Sequence, residues 1–282
     1  MDKDSGLFSR TAGGRIARMF DTKKFGHIGT LDPMATGVLP IAIGGATKMI
    51  PFIEDGHHPK EYLFGVQFGF ETATLDITGD VTRRNDIVPT AGALRDALPQ
   101  FIGKISQIPP VYSAVHISGR RAYELARDGN APEMPARHVT IYELEMTGFS
   151  GSRATFRMRC SAGTYVRSIA RDIANACGAL ATVDMIRRTQ TNGFDIKNAV
   201  KLDFLENLVN NGDDIRKYLM PTDFGLGDIP VLKLDDGAAG LFANGGFVEC
   251  GGADGMRRVY AGERFIGMGC VTAGVVKPRR II

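Results

Sequence analysis

The stretch FGHIGTLDPMATGVLPIAIGGATK, Phe25 to Lys48, constrains this chain more than any other. It gathers one histidine, one carboxylate, two prolines and five glycines into a segment with no steady hydrophobic period. A plain turn would need fewer special residues. Asp32 precedes Pro33, whose ring disfavours the helical region at the preceding residue and leaves Asp32 extended. Gly29 and Gly37 permit tight turns on either side. The segment therefore presents a carboxylate on a stiff loop, although an Asp-Pro pair on its own signals no more than a turn.

The 282 residues are 44% hydrophobic and 23% charged, enough to bury a core in one large domain, or in one domain with a small appendage. No apolar run approaches the ~20 residues of a membrane helix. The opening MDKDSGLFSRTAGGR lacks the apolar centre of a secretory signal. The expected setting is the cytoplasm, with no membrane partner. Cys160, Cys177, Cys250 and Cys270 are scattered without a CxxC pair, so neither a zinc site nor a disulfide framework is expected. The five histidines form no HExxH and no H-x-E…CxxC pattern. His57 and His58 read as an exposed loop. AIGGATK falls short of a Walker loop, and no GxSxG occurs. The expectation is a protein without metal or cofactor.

Net charge is only +3, so the clusters GRIAR, GRRAYELAR, RATFRMR, IRR and KPRRII matter more than the total. They suit phosphate contacts and solvated faces alike.

Tyr62, Phe64, Val66, Phe68 and Phe70 share one parity and predict a half-buried strand. TAGALRDALPQFIG predicts a helix capped by Thr90 and disturbed at Pro99. RATFRMRC alternates strictly, with Ala154, Phe156, Met158 and Cys160 toward a core and Arg153, Arg157 and Arg159 toward water or an anion. TYVRSIARDIANACG predicts a helix capped by Thr164 and ended by Gly178, with Arg167 in its first turn. Between these elements, Pro109, Pro110, Pro132 and Pro135 bracket a long basic excursion, a pattern more often functional than decorative. Thirteen of the 35 glycines follow Phe224, among short β-like runs, which predicts a small all-β appendage beginning near Thr222 to Asp228.

The residues also carry a family likeness. GHIGTLDPMATGVLPIAIGGATK resembles the G-H-x-G-T/A-L-D-P-x-A-T-G-x-L-P motif of the TruB family of tRNA pseudouridine-55 synthases. KEYLFGVQFGFETATLDITGD resembles that family's K-x-Y strand and the acidic segment after it. QIPPVYSAVHISGRRAYELARDG resembles its insertion, CSAGTYVRSIARDIA its C-x-x-G-T-Y-I/V-R helix, and FIGMGCVTAGVVKPRRII its C-terminal strands. The likeness runs from about Asp2 to Ile282, in order and near the family's spacing.

The resemblance implies a mixed α/β (α+β) pseudouridine synthase fold with a largely antiparallel central sheet. It places the catalytic domain at residues 1–222, an RNA-closing insertion at 109–138 and a small β-rich PUA-like domain at 223–282. It implies isomerisation of uridine 55 in the T-loop of tRNA with a flipped-out base and no cofactor. Asp32 would be the catalytic aspartate, by attack on ribose, attack on the base or removal of a ribose proton. Arg167 would pair with it, and Tyr62 would stack on the base and could move a proton from C5. His27 would support the remodelled T-loop, and Tyr165 and Ile186 would line the base pocket. Asp76, Lys48, Arg120 and Arg121 complete the implied substrate-binding set. The partner would be the T-arm of tRNA, with the acceptor end on the C-terminal domain and the protein acting as a monomer.

Two departures stand out. By sequence the family's opening strand is missing, and MDKDSG puts Asp4 where proline is usual. His116 also replaces the insertion's lysine, which would weaken a contact near neutral pH. Two other functions fit parts of the chain. A non-catalytic RNA-binding or tRNA-folding protein would use the basic insertion and appendage but would not require Asp32, Tyr62 and Arg167 together. A uridine methyltransferase would need a reactive cysteine, whereas Cys160 lies on its strand's apolar parity.

Overall fold

The computed structural model describes residues 1–55, 58–117 and 119–282, so the His57 reading lies outside the described residues. Seven strands lay down the main sheet: β1 (Asp2–Lys3), β2 (Thr36–Val38), β3 (Lys60–Phe68), β4 (Gly103–Gln107), β5 (Arg137–Ser150), β6 (Arg153–Cys160) and β7 (Ala181–Thr191). They run in the order β1-β2-β7-β3-β6-β5-β4, and Phe194–Asp195 adds onto β7. Every pairing along this order is antiparallel except β2 with β7. The mixed α/β, largely antiparallel expectation holds.

Burial follows the two-residue alternation. Ala154, Phe156, Met158 and Cys160 on β6 meet Tyr62, Phe64, Val66 and Phe68 on β3 in one apolar cluster. Phe64 stacks on Phe156 with ring centroids 5.2 Å apart. Helices α1 (Ser9–Met19), α2 (Ala91–Ala97) and α3 (Val166–Ala176) add Ala12, Leu94 and Ile169 to that cluster. Thr90 caps α2 as expected, its Oγ1 accepting from Ala93 N at 3.1 Å, and Pro99 falls in the 3-10 turn that follows. Thr164 does not cap α3. Its hydroxyl donates back to Ser161 O at 3.0 Å, and the cap position falls on Tyr165. Gly178, at φ +70°, follows the helix end.

The arginine face of β6 meets anions, but they belong to the protein. Arg153 pairs with Asp184, Arg157 with Glu145 at 2.8 Å, and Arg159 with Glu143 at 3.1 Å. Cross-strand carboxylates thus take the charges that the sequence left open to phosphate. The IRR cluster is likewise internal, with Arg187 on Asp2 at 3.1 Å and Arg188 wholly buried.

The opening strand, read as missing, is present in two residues. Asp2 N donates to Val200 O at 2.8 Å while the Asp2 carboxylate faces Arg187 and Lys201, so both sides of the segment are fixed. Lys3 is buried and donates to Asp4 O, Leu7 O and Pro33 O at 2.9, 2.7 and 3.1 Å. That ammonium closes the turn without a proline at position 4.

A second sheet holds β8 (Val231–Leu234), β9 (Val248–Glu249), β10 (Gly255–Ala261), β11 (Arg264–Thr272) and β12 (Val275–Ile281), in the order β8-β10-β11-β12-β9. β8 lies parallel to β10 and the other pairings are antiparallel. This β-rich, PUA-like unit is not all-β. Helix α4 (Asp236–Ala243) is capped by Asp235 Oδ1, which accepts from Ala238 N at 2.8 Å, and it buries Phe242 against the strands. Its glycines and alanines masked the helical pattern. Met268 of this second sheet packs in an apolar cluster with Ile28 of the glycine-rich segment, Met49, Ile53 and Leu226. Among the described residues no helix is long and apolar enough to cross a membrane.

Candidate active site

Phe25–His27 and Ile41–Ile43 pair antiparallel and close the base of the glycine-rich loop. Ile28, Leu31, Ala35 and Leu39 turn inward and are buried. Gly29 and Gly37 take φ of +68° and +102°, the turns expected from sequence. A Cβ on Gly37 would collide with the Arg188 backbone. Three side chains from other segments tie the loop down. Ser9 Oγ donates to Leu31 O at 3.0 Å and accepts from Leu31 N at 3.1 Å. Lys3 holds Pro33 O, as described above. Arg188 donates through Nε to Val38 O and through Nη2 to Gly29 O, both at 2.8 Å. Asp32 thus sits between two anchored neighbours.

Arg167 meets Asp32 edge to edge. Nε lies 2.8 Å from Oδ2 and Nη2 lies 3.0 Å from Oδ1, the bidentate arrangement that fixes both planes. The rest of the fork is taken by Thr74 O at 2.7 Å and Tyr112 O at 3.0 Å. Asp76 Oδ2 stands 3.7 Å from Nη1, while its Oδ1 accepts from Thr74 Oγ1, Thr78 N and Thr78 Oγ1 at 2.9, 3.0 and 2.5 Å. The Arg167 side chain is 4% exposed and that of Asp32 34%, so the arginine forms the floor and the carboxylate the rim.

A cavity of about 270 Å³ opens on this pair, lined also by Tyr62, Tyr165, Ile186, Lys60 and Ser113. Burial pushes the Tyr62 phenol above its ordinary range, with Arg188 opposing. Tyr165 N donates to Gln107 Oε1 at 2.8 Å, and Gln107 Nε2 donates back to Tyr165 O at 3.2 Å. The structure therefore brings Asp32, Tyr62, Tyr165, Arg167 and Ile186 around one space, with Asp76 behind the arginine. His27 stands one step outside, with Nε2 3.0 Å from Oγ1 of Thr30, which lines the cavity. Burial lowers the His27 pKa.

Lys48, Arg120 and Arg121 lie elsewhere. Lys48 Nζ donates to Ile281 O at 2.8 Å and so braces the C-terminal sheet. Arg120 is exposed on the insertion and pairs with Asp128 at 2.6 Å, and Arg121 donates to Tyr123 Oη at 3.3 Å. His116 is exposed on the strand facing them. Cys160 is buried, and its thiol is pushed up to about 12 by that burial, which suits a core residue rather than a nucleophile. A separate apolar cavity of about 170 Å³, near Met1, Phe20, Phe194 and Leu205, gathers none of the site residues. Sequence reasoning missed Ser9, Ser113, Lys60 and Arg188 as site residues. Arg188 was visible only as part of a basic cluster, and Lys60 only as the first letter of a K-x-Y pattern.

Comparison with known proteins agrees with this geometry. The family model described as "TruB family pseudouridylate synthase (N terminal domain)" matches residues 17–166. Models described as "tRNA pseudouridylate synthase B C-terminal domain" and "Pseudouridine synthase II TruB, C-terminal" match residues 167–226 and 230–282. A protein named tRNA pseudouridine synthase B from Caulobacter vibrioides is 39% identical, aligned over 100% of this chain and 94% of its own length. Its namesake from Gluconacetobacter diazotrophicus is 38% identical over 100% of this chain and 95% of its own. Among solved structures, a Cbf5-Nop10-Gar1 complex matches at TM-score 0.74 with 22% identity, over 99% of this chain and 83% of that one. An H/ACA RNP bound to a substrate RNA containing 2'-deoxyuridine matches at TM-score 0.73 with 20% identity, over 99% and 83%. At that identity these two speak to the fold alone. Motif, sheet order and full-length similarity converge, and the chain belongs to the TruB family of pseudouridylate synthases.

Proposed function

We propose that this protein isomerises uridine 55 in the T-loop of tRNA to pseudouridine, with Asp32 as the catalytic carboxylate and no cofactor. The observation that carries the reading is the bidentate Asp32–Arg167 pair at the mouth of a cavity walled by Tyr62, Tyr165 and Ile186. The net change breaks the bond from N1 to the ribose and forms one from C5, with a proton leaving C5 and another ending on N1. A uridine must leave its stack to reach such a cavity, at a cost of a few kcal/mol. Stacking on Tyr62 returns roughly 1–3 kcal/mol. A guanidinium locked edge to edge against the carboxylate fixes its plane while the base enters. Arg167 suits that duty because its other donors are already committed to backbone carbonyls.

On this reading His27 supports the refolded T-loop, and the segment 109–138 closes on the RNA. Its Tyr112 carbonyl touches Arg167, so loop and catalytic pair are linked. Residues 1–222 form the catalytic unit and 223–282 hold the acceptor end. Exposed Phe247, with Lys277 Nζ 4.9 Å from its ring centroid, offers a stacking face and a charge for that single strand. The protein works as a monomer in the cytoplasm. The test is Asp32→Asn, assayed on a T-arm transcript and by mapping pseudouridine in tRNA from cells lacking the protein. The expected variant folds and binds RNA but makes no pseudouridine at position 55; normal product from it would overturn the assignment.

A further inference from the structure

Among the described residues, two polar groups of this cavity have no hydrogen-bond partner. Ser113 Oγ is the one buried side-chain nitrogen or oxygen among the described residues that has no hydrogen-bond partner. Lys60 is half-buried and also lines the cavity, and no hydrogen bond holds its ammonium among the described residues. Its neighbour is another cation. A Cβ built on Gly29 would lie 3.2 Å from Lys60 Nζ and 3.1 Å from Arg188 Nη1. Glycine at position 29 thus lets two positive groups stand close together against the loop backbone. Arg188 already spends Nε and Nη2 on backbone carbonyls, and Glu54, the nearby carboxylate, accepts from Gly29 N at 3.1 Å. Burial and Arg188 both lower the Lys60 pKa, so the ammonium is held there against its own solvation. An unpaired, desolvated cation burdens the fold and makes sense where an anion arrives from outside.

Lys60 and Tyr62 lie on the same face of β3, two residues apart, or about 6.6 Å along the strand. A nucleotide whose base stacks on Tyr62 thus runs its backbone within reach of Lys60. We propose that Lys60 holds a phosphate oxygen of the nucleotide drawn into the cavity. This rests on the reading of the cavity as a nucleotide site. It makes Lys60 a substrate-binding residue distinct from the basic insertion.

The test uses full-length protein carrying Asp32→Asn, so that no turnover occurs, with a T-arm stem-loop RNA as probe. Affinity is measured from 50 to 200 mM salt with and without Lys60→Met. One lost phosphate contact lowers the slope of log affinity against log salt by about 0.7–0.9, so the variant should lose about threefold less affinity across that range. Lys60→Arg should keep the parent slope. In the Asp32 background, the melting temperature of Lys60→Met should equal or exceed its parent's, because the change removes a desolvated charge. An unchanged slope overturns the proposal, and so does a lower melting temperature, which would mark a structural lysine. In otherwise wild-type protein, Lys60→Met should raise KM more than it lowers kcat, and the reverse split would contradict a phosphate grip. Failure of the wild-type protein to form pseudouridine would instead sink the catalytic reading, which the salt titration does not depend on.

Discussion

Lys3 is wholly buried, and its ammonium closes the N-terminal turn on three carbonyls, one of them Pro33 O beside Asp32. Burial lowers its pKa to about 8, with Asp4 and Asp32 opposing and Arg188 adding to the drop. Below pH 8 both the folded and unfolded chains carry the charge, and the folded state bears the full desolvation penalty. Between pH 8 and the unfolded value of 10.5 the folded chain sheds a proton that the unfolded chain keeps, so stability rises with pH across that window. Urea unfolding of wild type should therefore gain about 3 kcal/mol relative to Lys3→Met between those limits. The three carbonyls stranded in the variant add a constant offset, and a difference that stays flat with pH would refute the burial account. At this scale the sequence was legible where constraint is local. Pro33, Gly29 and Gly37 act through their own dihedrals, so the stiff loop could be read directly. Arg188 could not be, because the carbonyls it holds lie 150 and 159 residues away.

Among elements, β6 divides the readable from the hidden most sharply. Its alternation predicts a strand and names the buried face, because period and burial are properties of one segment. What its arginines face depends on the strands around it: β5 and β3 flank it and bring Glu143, Glu145 and Glu61, and β7, one strand further, brings Asp184, carboxylates that no local pattern points to. Arg157 touches Glu145, Glu143 and Glu61 and has no unmet need for phosphate. Arg157→Ala should leave T-arm affinity within about twofold and the salt slope unchanged, as for an exposed ion pair. A flatter slope would return β6 to the RNA-binding surface. Helix α3 teaches the same lesson at its start. Its apolar stripe was plain, but the cap misread at Thr164 turned on Gln107, which holds Tyr165 from a distant strand.

For the whole molecule, sequence suggested a catalytic body with a separable appendage, and the composition shift after Phe224 is real. The packing is less separable. Met268 on β11 is fully buried in the cluster that contains Ile28, Met49 and Ile53, and Ile28 follows His27 directly in the glycine-rich loop. Lys48 adds a hydrogen bond to Ile281. Removing residues 228–282 would strip the cover from those apolar side chains and loosen the element that carries Asp32. The expected truncation therefore loses turnover as well as affinity, and melts lower than the full chain. Met268→Ala separates the two effects, since it leaves the exposed surface of the C-terminal unit in place. It should cost about 2–5 kcal/mol through the cavity it opens. It should also reduce kcat on a T-arm transcript, because the loosened wall is the one behind the glycine-rich loop that carries Asp32. Full kcat in a destabilised Met268→Ala would mean that the C-terminal sheet supports the fold and the RNA but not the placement of Asp32.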